Sequence, residues 1–224
     1  MDETVAVLDE FLKGSEPNLI VTADSSGLVI AQEDPDLAEI YQAASLATAD
    51  SIGVVWALKR KGAKASRVSG VDLVSKLCDL SAAKGYRIGI IGAAPGIADQ
   101  AAERLRLLHP GVNIVGTRHG YFPCDDDEVV AQEVKVWESE ILFVAMGIPR
   151  QEKFIQKTLP IIQAKVALGV GGSFDVFSGK VKRAPKIVQR LHLEWLWRLL
   201  SNPKKIHKVK MLPKFVCLVL KDKE

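Results

Sequence analysis

Through the first 179 residues, short and almost wholly apolar runs alternate with longer amphipathic stretches. The runs are NLIVTAD (18–24), RIGIIGA (87–93), VNIVGT (112–117), EILFVAMG (140–147) and KVALGVGG (165–172). Their length suits strands, and their lack of polar alternation predicts burial on both faces, the mark of a parallel sheet. Helical spacing of apolar positions predicts helices over Pro35–Ala49, Val71–Lys84, Gly96–Leu108, Asp126–Trp137 and Arg150–Thr158. The opening MDETVAVLDEFLKG is also helix-like. A repeated strand–helix–strand order predicts an α/β, Rossmann-like fold, with a mostly parallel sheet covered by helices on both faces.

Past Gly179 the texture changes. Ala184–Leu200 has helical spacing, with Val188, Leu191, Trp195 and Leu199 on one stripe and Lys186, Arg190 and Arg198 on or beside it. Asn202–Pro203 breaks that pattern before the closing segment MLPKFVCLVLKDKE. The chain thus divides into a Rossmann-like body over 1–179 and a basic, amphipathic helical appendage over 180–224.

Charge sharpens that division. Residues 180–224 hold 13 Lys and Arg against 3 acids, a balance of +10, whereas the body carries −7 and the whole chain +3. A basic end on an acidic body suits a polyanionic partner for the tail. The acidic, helix-like start is not a secretory signal, and no apolar run approaches the length of a membrane span. Cys78, Cys124 and Cys217 are far apart and have no nearby histidine pair, which argues against a disulfide framework or a zinc site and for a reducing compartment.

Five segments offer chemistry. RIGIIGAAPGIADQAAERL runs from a strand through a small-residue turn into a helix whose free N–H groups could hold a diphosphate, although such turns more often serve packing. Asp50, in ATADSIGVVWALK, occupies a turn where a carboxylate serves either as a general base or as a cap. FVAMGIPRQEKFI puts Arg150, Gln151, Glu152 and Lys153 just past a strand end, where α/β folds bind ligands; Pro and Glu there are equally good helix-start chemistry. The CDDDE run at 124–128 imitates an acidic metal motif, but its place at a helix start favours capping, and no metal site is expected. Finally, Gly169, Gly171 and Gly172 form a strand-end glycine loop before Ser173, Phe174 and Asp175, suited to a close ligand approach or to a tight turn. His119, in the HGYF turn, is a candidate substrate contact, although such a histidine is more often a loop hydrogen-bonding residue, and His207 belongs to the basic tail.

Taken together, VTAD (21–24), ADSIGVVWA (49–57), RVSGVDL (67–73), GTRHGYF (116–122), GIPRQEKFI (147–155), GVGGSFDVFSGKVKRAP (169–185) and LEWLWRLLSNPKK (193–205) resemble the WecG/TagA/CpsF family of bacterial glycosyltransferases. The resemblance implies an inverting enzyme that adds N-acetylmannosamine, or its uronic acid, from a UDP-sugar donor to undecaprenyl-diphosphate N-acetylglucosamine in cell-surface polymer synthesis of the teichoic acid type. It implies Asp50 as the base for the acceptor hydroxyl. Thr22, Asp24, Arg67 and Gln151 match positions of the pocket, and Arg198, Lys205 and Lys208 match basic positions of the appendage that closes over the site. No cofactor is implied.

The implied setting is the inner face of the bacterial plasma membrane, with the appendage on anionic lipid. No nucleic-acid partner is expected, and a homo-oligomer is compatible. Three departures stand out: Asp24 where the family has Asn, Ser51 where it has Gly, and Lys205 and Lys208 where Arg is common. Lysine keeps the charge but loses the planar fork. Two readings from other classes remain open at this stage. A nucleotide-dependent oxidoreductase is disfavoured by the missing GxGxxG, and a non-catalytic membrane-associated sugar-nucleotide binding protein shares every surface feature.

Overall fold

The computed structural model describes residues 1–190, 193–201 and 206–222. Six strands form one sheet: β1 (Asn18–Ala23), β2 (Leu46–Ala49), β3 (Arg87–Gly92), β4 (Asn113–Arg118), β5 (Ile141–Ala145) and β6 (Val166–Gly169). Their order is β2-β1-β6-β5-β3-β4, and every neighbouring pair is parallel. The expected α/β architecture is therefore present, with one strand more than the apolar runs predict.

That extra strand corrects the long helix expected over 35–49. The helix α3 (Pro35–Ala43) ends early, and Leu46–Ala49 pairs in register with Ile20–Ala23. The stretch AASLATA favours helix by local propensity, but hydrogen bonds along β1 outweigh it, a tertiary override of local preference. A short helix, α2 (Ser25–Ile30), also escapes the pattern. Its Ser-Ser-Gly start is a poor helix former and relies on the Asp24 cap.

The remaining body helices are α1 (Asp2–Lys13), α4 (Ile52–Arg60), α5 (Gly70–Lys84), α6 (Ile97–Leu108), α7 (Asp127–Lys135), α8 (Arg150–Ile162) and α9 (Ser173–Phe177). Alternate strand residues face opposite layers, as a pleated sheet requires. Ile20, Ile88, Ile90 and Phe143 pack with Leu8 and Leu12 of α1, Leu73 and Leu77 of α5, Ala101 and Leu105 of α6, and Phe174 of α9. Leu19, Val21, Leu142 and Val144 pack on the other face with Ile40 of α3, Val130 and Val134 of α7, and Phe154 and Ile155 of α8. Both faces of the sheet are thus covered.

The cysteines fit this packing. Cys78 is buried among the α5 core residues, and burial, followed by the charge of Asp79, pushes its thiol up to about 12. It is an inert packing residue.

The expected single helix over 184–200 is two helices, α10 (Lys186–Arg190) and α11 (Glu194–Ser201), with α12 (Ile206–Lys221) following. The appendage packs on the body through Phe215 of α12, 3% exposed, which joins Val29 of α2, Ala49 of β2, and Val54 and Val55 of α4. Among the described residues, no helix is long and apolar enough to cross a membrane.

Phe215→Ala empties the centre of this third cluster and costs about 3 kcal/mol of seating energy. Limited proteolysis should then cut the α12 segment well before the body; unchanged protection would show that other contacts seat it.

Candidate active site

All six strands point the same way, so their carboxyl ends share one edge. A cleft of about 560 Å³ opens there, lined by Thr22, Asp24, Asp50, Ala93, Gly120, Tyr121, Met146, Gln151, Gly171, Asp175 and Lys180 among others. This is the edge where open α/β sheets place ligands. Of the residues expected to form the site, Thr22, Asp24, Asp50 and Gln151 all line this cleft.

Asp50 follows β2 directly. Its N–H donates to the Ala23 carbonyl at 2.9 Å, continuing the β1 pairing by one residue. Its carboxylate Oδ1 accepts from the Gly70 N–H, at the start of α5, at 3.0 Å. The carbonyl of the same residue accepts from Arg67 Nε at 2.6 Å. Backbone and side chain are therefore both held.

Arg67 takes a different place from the pocket lining implied for it. It braces the Asp50 carbonyl with one nitrogen and meets Glu194 Oε2 of α11 with Nη1 at 2.6 Å.

Thr22 is 7% exposed, and its hydroxyl donates to the Gly169 carbonyl at 2.7 Å, tying β1 to β6 beneath the cleft. Gln151, at the start of α8, is 1% exposed. Its Oε1 accepts from both Gly147 N–H at 3.2 Å and Gly171 N–H at 3.1 Å, so one side chain braces the loops after β5 and β6. The glycine at 169 makes room for it, because a Cβ there would lie 2.3 Å from Gln151 Nε2. The glycine run at 169–172 thus admits a buried amide as well as bordering the cleft.

The two departures on the body are explained locally. Asp24 caps α2, accepting from Gly27 N–H at 2.7 Å and from the Ser26 hydroxyl at 2.6 Å. Ser51 caps α4 by accepting from Val54 N–H at 3.3 Å, and its hydroxyl lies 2.9 Å from that of Ser25. A glycine at 51 would lose the link between α2 and α4. Tyr41 packs behind α2, its hydroxyl 2.3 Å from where a Cβ at Gly27 would fall. Burial above all, and then the charges of Glu152 and Asp24, hold this phenol above its ordinary value, so it stays neutral.

The β3–α6 turn borders the cleft through Ala93 and Ala94. Ala93 has φ of 58°, a left-handed conformation that costs a non-glycine residue about 1–2 kcal/mol. Its N–H donates to Ala145 O at 2.7 Å and its carbonyl accepts from Gly120 N–H at 2.9 Å, tying the turn to the end of β5 and to the loop after β4. No side chain caps α6.

Beside this turn, Tyr121 is 70% exposed. Next to it, Phe122 lies between two guanidinium groups, Arg118 at 4.8 Å and Arg150 at 5.3 Å from its ring centroid. His119 Nδ1 accepts from Tyr121 N–H at 3.3 Å, the loop role expected of it. Tyr121, Asp175 and Lys180 were missed as site residues, since a turn tyrosine or a solvated lysine carries no local pattern.

The acidic run behaves differently from a simple cap. Asp126 occupies the N-cap position of α7 without a side-chain bond, and buried Asp127 pairs with Arg150 instead. Lys205 lies outside the described residues. Arg198 and Lys208 fall on α11 and α12, but their side chains, like that of His207, lie outside the described part.

The chain matches the glycosyl transferase WecG/TagA/CpsF family over residues 1–224, and it belongs to that family. It is therefore a glycosyltransferase. It is 38% identical over 212 residues to the N-acetylglucosaminyldiphosphoundecaprenol N-acetyl-beta-D-mannosaminyltransferase of Bacillus spizizenii (strain ATCC 23059 / NRRL B-14472 / W23), covering 94% of this chain and 82% of that relative.

One carboxylate near the site titrates informatively. Burial pushes Asp72 up, but hydrogen bonds from Arg183 and Ser69, and then the charges of Arg183 and Arg67, outweigh it and hold the group below its ordinary 3.8. A lowered folded value means that the stabilisation is full above the unfolded value and lost as pH falls through the folded one. Asp72→Asn should therefore lower the melting temperature at pH 7. Its difference from the unmodified chain should shrink as pH falls below the ordinary 3.8 and through the lowered folded value; a difference independent of pH would remove the ion pair as its cause.

Proposed function

We propose that this chain transfers N-acetylmannosamine from UDP to undecaprenyl-diphosphate N-acetylglucosamine, with inversion, at the inner face of the plasma membrane. The observation that carries the reading is Asp50, lining the cleft at the carboxyl edge of the sheet with its carboxylate oriented by a backbone N–H. Donor and acceptor identities are supported by the name of the Bacillus relative.

In a single displacement, the acceptor hydroxyl attacks the anomeric carbon while the bond to the diphosphate oxygen breaks. Asp50 takes the hydroxyl proton as attack proceeds, and the electron pair of the broken bond leaves on UDP. General-base help of this kind contributes about 10²–10⁴-fold. The departing diphosphate gains one unit of negative charge as the bond breaks, and that charge must be met by cations or oriented N–H groups. Lys180 at the rim and the backbone around Ala93 and Ala94 border the cleft. Arg198, Lys205 and Lys208 of the appendage supply further positive charge in this reading, which assigns the leaving group to protein groups rather than to a metal ion. Tyr121, an exposed ring on the lip, offers a flat apolar face to a base or sugar.

The appendage supports the membrane setting. Ile187, Leu193, Trp195, Val216 and Leu220 are exposed beside Lys186 and Lys214, the mixture that binds an anionic lipid surface. Such a surface brings the cleft to a lipid-linked acceptor without a membrane span.

Asp50→Asn keeps size and loses basicity, so kcat with UDP-N-acetylmannosamine and a short-chain lipid acceptor should fall about 10²–10⁴-fold. Full turnover by that variant removes Asp50 as the base. Replacing Trp195 and Leu220 together by Ser should weaken partitioning onto anionic vesicles about tenfold while sparing neutral ones from any comparable change. Equal partitioning of variant and parent would take the appendage off the membrane.

A further inference from the structure

We propose that Glu194 of the appendage is a positioning residue for glycosyl transfer, holding the Asp50 turn in place through Arg67 so that the base is set only when the appendage is seated. This rests on the reading of Asp50 as the base.

Glu194 opens α11 and is 4% exposed, unusual for a carboxylate. One oxygen meets Arg67 Nη1 at 2.6 Å, and the other meets Arg183 Nε at 3.4 Å. Each arginine continues to a different side of Asp50. Arg67 reaches the Asp50 carbonyl through Nε at 2.6 Å. Arg183 forks onto Asp72 with bonds of 2.6 and 2.8 Å. Asp72 stands in the first turn of α5, two residues past Gly70, whose N–H orients the Asp50 carboxylate. A single buried carboxylate thus governs the backbone behind the base and the helix start in front of it.

The choice of chemistry favours positioning over mere adhesion. Seating a helix by apolar contact alone is energetically cheaper than desolvating charges, and a buried ion pair is weak evidence for stability. What a fork between planar guanidinium groups adds is direction and register. Phe215 already supplies an apolar seat for the appendage against α2, β2 and α4. The Glu194 link touches the residue that the reaction needs.

The test uses the full chain with a UDP-sugar donor and a short-chain lipid acceptor. Glu194→Gln should lower kcat at least about tenfold with donor KM within about twofold of the parent, and Glu194→Asp should recover part of the loss. Arg67→Ala with Glu194→Ala should lose less than the product of the two single losses, because the two residues share the Arg67–Glu194 contact while Glu194 alone also reaches Arg183. A kcat for Glu194→Gln within about twofold of the parent, a loss confined to KM, or losses that multiply in the double variant would overturn the proposal. If Glu194→Gln does not fold, Arg67→Lys carries the test: it keeps a cation beside Glu194 but cannot bridge to the Asp50 carbonyl, and should show the same kcat loss. Asp50→Asn is assayed alongside. Full turnover there ends the base reading and this proposal with it, whereas an inactive Asp50→Asn beside an unimpaired Glu194→Gln ends the positioning role alone.

Discussion

A parallel sheet has no way to turn back on itself without crossing a face, and that constraint organises the molecule. Each strand-to-strand connection must travel the full height of the sheet, and helices do so on both sides. The two core layers, one built on α1, α5, α6 and α9 and the other on α3, α7 and α8, follow from it. So does the concentration of loops at the carboxyl edge, where every strand hands its chain to a helix. The cleft sits at that edge, where the chain leaves all six strands.

Within the cleft, rigidity comes from side chains that serve the backbone. Gln151 spends its carbonyl on two loop N–H groups, Thr22 ties β1 to β6, and Ser51 joins the starts of α2 and α4. These groups fix the walls, while half-buried Asp50 and Asp175 and exposed Tyr121 and Lys180 line the cleft itself. The division of labour explains why a polar residue as buried as Gln151 borders the cleft.

Much of this was legible from residue order. Five of the strands announce themselves because burial on both faces leaves no polar position within them. β2 does not: LATA is short, small and alanine-rich, and only its pairing with β1 makes it a strand. Thr22, Asp24, Asp50 and Gln151 were found through ordered motif blocks, which carry spatial information that spacing lacks. Arg67 shows the limit, since a motif names the residue but not that its guanidinium braces the Asp50 carbonyl and reaches toward α11. Tyr121 and Lys180 reach the cleft by the path of loops, and no periodicity encodes that path.

The donor that aims Asp50 belongs to the main chain. A side-chain donor would be lost by one nucleotide change, whereas the Gly70 N–H survives every substitution except proline. A Cβ at position 70 would meet its neighbours at 3.7 Å or more, ordinary contact distances, so the backbone there has room for other residues. Genetic fragility is therefore displaced from the donor to the side chains that keep its helix where it starts. Ser69, which caps α5, and Asp72, which anchors its first turn, inherit the constraint that Gly70 escapes.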